Sequence, residues 1–277
     1  MEKVVFITGS SRGLGAAIAK EALARGYKVA ATARNAQDVL KAFPDAGEQL
    51  LAISMDVTDV RQIGAAVDKA IETFGRIDVV INNAGYGNVA PIEHVEDADF
   101  HAQMNTNFYG VYNVTKAVLP QLHKQRAGHI IQVSSIGGRH GGTPGLAAYQ
   151  SAKFAVAGFS KVLAAEVAPF GIKVTILEPG GIRTDWAGSS MKVAPLDEEY
   201  QATIGWFVEY REKRSGQESG DPERGARITL DIAENENPPL HLLLGHDAVR
   251  MAGEESRRRS EEAKEWEEIS FSFDFLP

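Results

Sequence analysis

Tyr149-Gln150-Ser151-Ala152-Lys153 places a phenol and an ammonium four residues apart, on one face of any helix that contains them. A phenol at its ordinary pKa near 10 is a poor proton donor and acceptor at neutral pH. Lowering that value by about three units requires roughly 4 kcal/mol of preference for the phenolate. A neighbouring ammonium in a semi-enclosed site supplies part of it. Ser135 precedes the tyrosine by fourteen residues, at the end of an expected strand. A serine hydroxyl there would hold a carbonyl oxygen on which charge develops. A second pair, Tyr112 and Lys116, has the same spacing. It falls inside a long expected helix with no strand end beside it, and is read as scaffold.

Directly after the first expected strand runs Thr8-Gly9-Ser10-Ser11-Arg12-Gly13-Leu14-Gly15, followed by helix-forming Ala16 to Lys20. Glycines let the chain turn sharply and let backbone N–H groups approach a pyrophosphate at a helix N-terminus. The spacing, with glycines at 9, 13 and 15, is not the common G-x-G-x-x-G, and an ordinary Gly-rich turn is the alternative. Placement after the first strand of a parallel sheet favours a dinucleotide. Folds that select NAD put an acid at the end of the second strand for the ribose 2′-hydroxyl. Here that strand ends Ala31-Thr32-Ala33-Arg34. Arg34, with Arg12 in the glycine loop, favours a 2′-phosphate and therefore NADP(H); a solvated strand-end charge is the alternative for Arg34. An oxidised nicotinamide ring would add a second positive charge beside the phenol.

These residues need a sheet edge to bring them together. Short, near-continuous apolar runs recur at Val4–Thr8, Lys28–Ala33, Leu50–Asp56, Val79–Asn83, Ile130–Ser135, Lys173–Glu178 and Leu240–Leu244. Such runs suit strands buried on both faces. Helices are expected near 13–25, 58–74, 97–126, 149–169 and 221–235, with Asp59 and Asp97 near helix starts and Pro120 a possible kink. The alternation predicts an α/β fold: one doubly wound parallel sheet, Rossmann-like, in three α/β/α layers over residues 1–277. Ligands bind at the carboxyl ends of such strands.

Composition narrows the function classes. Lys and Arg total 29 against 37 Asp and Glu, a net charge of −8, which argues against a nucleic-acid surface. With no cysteine, disulfides and thiolate chemistry are excluded. The seven histidines have no paired metal spacing, so no metal site is expected. No apolar run approaches a membrane span and no signal peptide opens the chain, so a cytoplasmic protein is expected.

The chain resembles the short-chain dehydrogenase/reductase family over about residues 3–185. The resemblance rests on Thr8 to Gly15, Asp56-Val57, Asn82-Asn83-Ala84-Gly85, Asn107, Ser134-Ser135, Tyr149-x-x-x-Lys153 and Pro179-Gly180-x-Ile182-x-Thr184. It implies that Tyr149 is the acid/base and that Lys153 binds the nicotinamide ribose and tunes the phenol. It further implies that Ser135 orients the substrate and that Asn107 anchors a water-mediated proton relay through the lysine. Ser134 competes with Ser135, which fits better because it directly precedes the Ile136-Gly137-Gly138 turn. The cofactor contacts it implies begin with Gly9, Ser11, Arg12, Gly13, Leu14 and Gly15 in the loop, and Arg34 after it. Asp56 and Val57 would flank the adenine, and Asn83, Ala84 and Gly85 the adenine-side ribose. Pro179 and Gly180 lead to Ile182 and Thr184, which would bind the carboxamide and pyrophosphate. The expected activity is an NADPH-dependent carbonyl reductase or the reverse alcohol dehydrogenase; an NADP-binding regulatory or scaffold protein without turnover is the alternative. The expected partner is a small, apolar carbonyl or alcohol, with a similarity to hydroxysteroid- and retinol-like reductases, in a homodimer or homotetramer.

Two regions depart from the rhythm. Residues 186–222 are polar and mixed, with Gly188-Ser189-Ser190 as flexible punctuation, and are expected to form a substrate lid. The extension 253–277 carries a charged helical run and then Ile269 to Pro277, which alternates like a strand. Phe271, Phe273 and Phe275 are expected to dock on their own subunit or a partner.

Overall fold

The computed structural model describes residues 2–186 and 191–275. Seven strands carry the apolar runs: β1 (Val4–Thr8), β2 (Lys28–Ala33), β3 (Leu50–Ser54), β4 (Val79–Asn82), β5 (Gly128–Val133), β6 (Ile172–Pro179) and β7 (His241–Leu244). All pair in parallel, in the order β3-β2-β1-β4-β5-β6-β7. Alternate residues of each strand enter two separate cores, which is why the runs do not alternate with polar residues. Among the described residues the helices are α1 (Gly13–Ala24), α2 (Ala36–Ala42), α3 (Val60–Phe74), α4 (Asp97–Met104), α5 (Gly110–Gln125), α6 (Ala147–Val167), α7 (Trp206–Arg214), α8 (Pro222–Glu234), α9 (His246–Glu265) and α10 (Glu267–Phe271). On one face Phe6, Val80 and Ile130 pack with Ile63, Val118 and Leu163 from α3, α5 and α6. On the other, Val5, Ile81 and Leu177 pack with Ile18 and Leu230 from α1 and α8.

Local chemistry sets the ends. Asp59 caps α3 by accepting from the N–H groups of Arg61 and Gln62, and Gly75 stops the helix at φ +78°. Asp221 caps α8 ahead of Pro222 at its first position. The expected helix over 97–126 is two helices joined by a π turn at Asn105–Tyr109, and α5 continues through Pro120. Helix α2, which was not expected, starts where Asn35 accepts from Gln37 N–H.

The excursion is partly helical, with α7 preceded by a π turn at Gln201–Gly205. Met191 and Ile204 pack on Val89 and Leu146 in a small core of their own. The expected punctuation at Gly188-Ser189-Ser190 lies outside the described residues.

The tail corrects one expectation. Helical bonding continues from α9 through Trp266, where Ser270 N–H donates to Trp266 C=O, so residues 269–271 are helical rather than extended. Among the described residues no strand pairs with this segment, and local hydrogen bonding prevails. Phe271, Phe273 and Phe275 are 65%, 92% and 103% exposed, so they do not dock on their own subunit. No helix among the described residues is long and apolar enough to cross a membrane.

Candidate active site

The strand order reverses direction between β1 and β4, and there the carboxyl ends open a crevice. It holds a cavity of about 820 Å³. Of the residues expected to bind or react, all but Gly15 and Asn107 line it.

The glycine loop turns at Gly9 and Gly13, with φ +67° and +59°, a region that favours glycine. A Cβ on Gly9 would come within 2.9 Å of Ala84 Cα, and one on Gly15 within 2.3 Å of Gly9 O and 2.4 Å of Asn83 Nδ2. Gly15 therefore acts through packing, one layer behind the wall. Asn83 Nδ2 donates to Thr8 O at 3.0 Å and to Gly9 O at 2.9 Å, so its side chain ties the loop to β4. Arg34, just past β2, and Arg12 both line the cavity, and among the described residues neither guanidinium makes a hydrogen bond or ion pair. Asp56 accepts from Thr58 N–H and Oγ1 at 2.8 and 2.7 Å, which holds the turn after β3.

At the opposite end, α6 presents Tyr149 and Lys153, both buried, on the face toward Ser135. Lys153 Nζ donates to Val133 O at 2.7 Å and lies 5.8 Å from the Tyr149 ring centroid. Ser135 opens a short 3-10 turn, its Oγ accepting from Gly137 N–H at 3.0 Å, and its hydroxyl acts on the phenol in the direction that lowers its pKa. Ser134 instead donates to Lys153 C=O at 3.3 Å, which makes it the structural one of the two serines. Burial pushes the Tyr149 phenol up to about 12, opposed by the Ser135 hydroxyl. Burial pushes the Lys153 ammonium down to about 8. The expectation of a lowered phenol is thus not met by the protein's own groups. Desolvation outweighs an ammonium that is itself hydrogen-bonded to a carbonyl.

Asn107 sits in the π turn, fully buried. Its Oδ1 accepts from Tyr86 N–H at 2.9 Å and its Nδ2 donates to Tyr86 C=O at 2.7 Å. A Cβ on Gly85 would fall 2.7 Å from Asn107 Oδ1 and 3.7 Å from Lys153 Nζ, so Asn107 holds the chain beside the lysine. Tyr112 is away from the cavity, packed edge-on against Phe159 with Lys116 over its ring.

Sequence reasoning missed the support from α9. Asp247 in its first turn accepts from Gly181 N–H at 2.8 Å, and a Cβ on Gly180 would meet that carboxylate at 2.2 Å. Ala248 and Ala252 of the same helix pack on Ile136, next to Ser135. One helix therefore braces both the Pro179-Gly180-Gly181 turn and the serine turn. Its signal was Gly245-His246-Asp247 after a strand, an acid in a helix's first turn. Trp186, the first residue of the expected lid, is a wall of the site: its ring centroid lies 4.9 Å from that of Tyr149.

A family model for short chain dehydrogenases matches residues 3–193. The chain belongs to that family. It is 54% identical to "Oxidoreductase BOA17" of Botryotinia fuckeliana, over 98% of this chain and 99% of that one. A short-chain dehydrogenase from Streptomyces avermitilis superposes with a TM-score of 0.90 at 34% identity, covering 99% of each chain. An alcohol dehydrogenase from the archaeon Thermococcus sibiricus, solved with 5-hydroxy-NADP, is 26% identical with a TM-score of 0.73, covering 88% of this chain and 96% of that one. This chain is therefore an oxidoreductase acting on CH–OH or C=O groups with a nicotinamide dinucleotide; solved relatives hold NADP-type or NAD-type cofactors. The site fits such a group on its own terms. The glycine loop leaves no room for side chains where it meets β4, and two guanidinium groups line the cavity with no hydrogen bond or ion pair among the described residues.

Proposed function

We propose that the chain is an NADPH-dependent carbonyl reductase that also runs in reverse on alcohols. The observation that carries this reading is one cavity with a buried Tyr149–Lys153 pair and Ser135 at one end, and at the other Arg12 and Arg34, which make no hydrogen bond or ion pair among the described residues. Arg34 and Arg12 would hold the 2′-phosphate, the backbone at Gly9 to Leu14 the pyrophosphate, and Asp56 and Val57 the adenine. Asn83 to Gly85, with Pro179, Gly180, Ile182 and Thr184, would line the riboses and carboxamide. When bound, the reduced nicotinamide supplies the hydride.

The remaining chemistry belongs to the chain. Ser135 Oγ donates to the substrate's carbonyl oxygen and fixes it beside the phenol. Tyr149 delivers its proton to that oxygen. Burial keeps the phenol protonated across neutral pH, the form reduction needs. Lys153 stays charged up to about pH 8, favours the phenolate left behind, and binds a ribose hydroxyl. Asn107 keeps the chain at Gly85 and Tyr86 against that lysine. The segment 186–222 closes over an apolar substrate, with Met191 and Ile204 as its anchors. Chains assemble as homodimers or homotetramers, in which the exposed rings of the tail are covered.

Cofactor choice tests the reading. A charge-assisted contact contributes about 1.5–3 kcal/mol, so Arg34→Ala should weaken NADPH roughly ten- to a hundredfold and leave NADH almost unchanged. Measured kcat/KM for both cofactors gives the answer. An Arg34→Ala enzyme with its full NADPH preference would place the phosphate elsewhere.

A further inference from the structure

The phenol of Tyr149 has one face against an indole. Its ring centroid is 4.9 Å from that of Trp186, tilted by 52°. Both rings meet Gly87: a Cβ there would lie 3.0 Å from Trp186 Cζ2 and 3.4 Å from Tyr149 Cδ2. Gly87 has no positive φ, so its backbone would accept alanine without strain. The missing side chain is therefore about space. Trp186 is fastened from below: its backbone N–H donates to Thr184 Oγ1 at 3.4 Å, and its ring packs against the core of Val89, Leu146, Met191 and Ile204. Tyr149 is only 8% exposed, and it shares the wall of the cavity with Trp186, so the indole borders the approach to the phenol.

We propose that Trp186, seated on the bare backbone of the buried Gly87, forms the wall of a specificity slot for the group attached to the reacting carbonyl. This rests on the reading of Tyr149 as the proton donor. A flat aryl or conjugated ketone slides along the indole face and puts its oxygen at the phenol. A ketone branched beside the carbonyl, such as a tert-butyl ketone, collides with the indole before its oxygen arrives. Packing differences of about one or two methyl groups in a walled pocket discriminate by roughly 10–200-fold, and the slot acts at that scale.

The two residues make opposite predictions. Trp186→Ala removes the wall, so the ratio of kcat/KM for tert-butyl over phenyl methyl ketone rises at least about tenfold. Gly87→Ala adds a methyl where Trp186 and Tyr149 already touch, so the same ratio falls. Trp186→Phe, which keeps a flat ring, lies between wild type and alanine. A second readout needs no turnover: with Trp206→Phe and Trp266→Phe, Trp186 is the remaining tryptophan, and its fluorescence is quenched by acetophenone but not by the tert-butyl ketone. If wild type reduces ketones while both variants keep the wild-type ratio, or move it in the same direction, the slot is wrong and the reductase reading stands. If wild type reduces no ketone, the reductase reading falls; quenching that fails to distinguish the two ketones then removes the slot as well.

Discussion

Replacing Lys153 by methionine should make the cofactor-free protein more stable while removing its activity. The ammonium is buried against Val133 O, and burial lowers its pKa from an ordinary 10.5 to about 8. At roughly 1.4 kcal/mol per pKa unit, keeping that charge inside costs about 3 kcal/mol at neutral pH. Methionine has similar length and no charge, but it forfeits the hydrogen bond to Val133 O, worth about 1 kcal/mol. The net gain is about 2 kcal/mol, or roughly 4–8 °C in Tm for a chain of this size. The pH signature is specific. Between about 8 and 10.5 the folded lysine is neutral and the unfolded one is charged, so unfolding takes up a proton and wild-type stability rises with pH. The advantage of Lys153→Met is therefore full below about pH 8 and closes toward pH 10.5. Thermal unfolding by circular dichroism across that range reads it directly. A variant less stable than wild type at pH 7, or a gap that does not change with pH, would refute the reasoning.

Gly15→Ala should weaken NADPH binding at least about tenfold while circular dichroism stays native, because the new methyl falls on Gly9 O and Asn83 Nδ2; titration by cofactor fluorescence checks it. Deleting residues 269–277 should reduce the mass measured in solution by light scattering or lower Tm, since the exposed rings of Phe271, Phe273 and Phe275 need a partner. Limited proteolysis within 186–222 should slow when NADPH and substrate are both present, as a closing lid requires; unchanged cleavage would speak against it.

The sheet was legible because β1, β2 and β4 are buried on both faces, so nearly every position is apolar. The glycine loop and the Tyr149–Lys153 pair were legible because geometry admits few residue types there: no Cβ at Gly9 or Gly15, and two reactive groups on one helix face. The phenol's pKa was misread, because spacing shows that an ammonium is near and not how far both groups are desolvated. Asp247 escaped notice because its partner, Gly181, is distant in the chain and is met through a backbone N–H. The tail misled because Phe-x-Phe-x-Phe alternation marks a strand only where another strand pairs with it; Ser270 bonded back to Trp266 instead.

The central claim is that this cavity reduces a carbonyl with a proton from Tyr149. Turnover with NADPH deuterated at nicotinamide C4 and an aryl ketone, followed by mass analysis of the alcohol, tests it most directly. Wild type should place one deuterium on the carbinol carbon. Tyr149→Phe should bind NADPH normally and form no labelled alcohol, while Tyr112→Phe works within a few fold of wild type. Labelled alcohol formed by Tyr149→Phe at the wild-type rate would contradict the account.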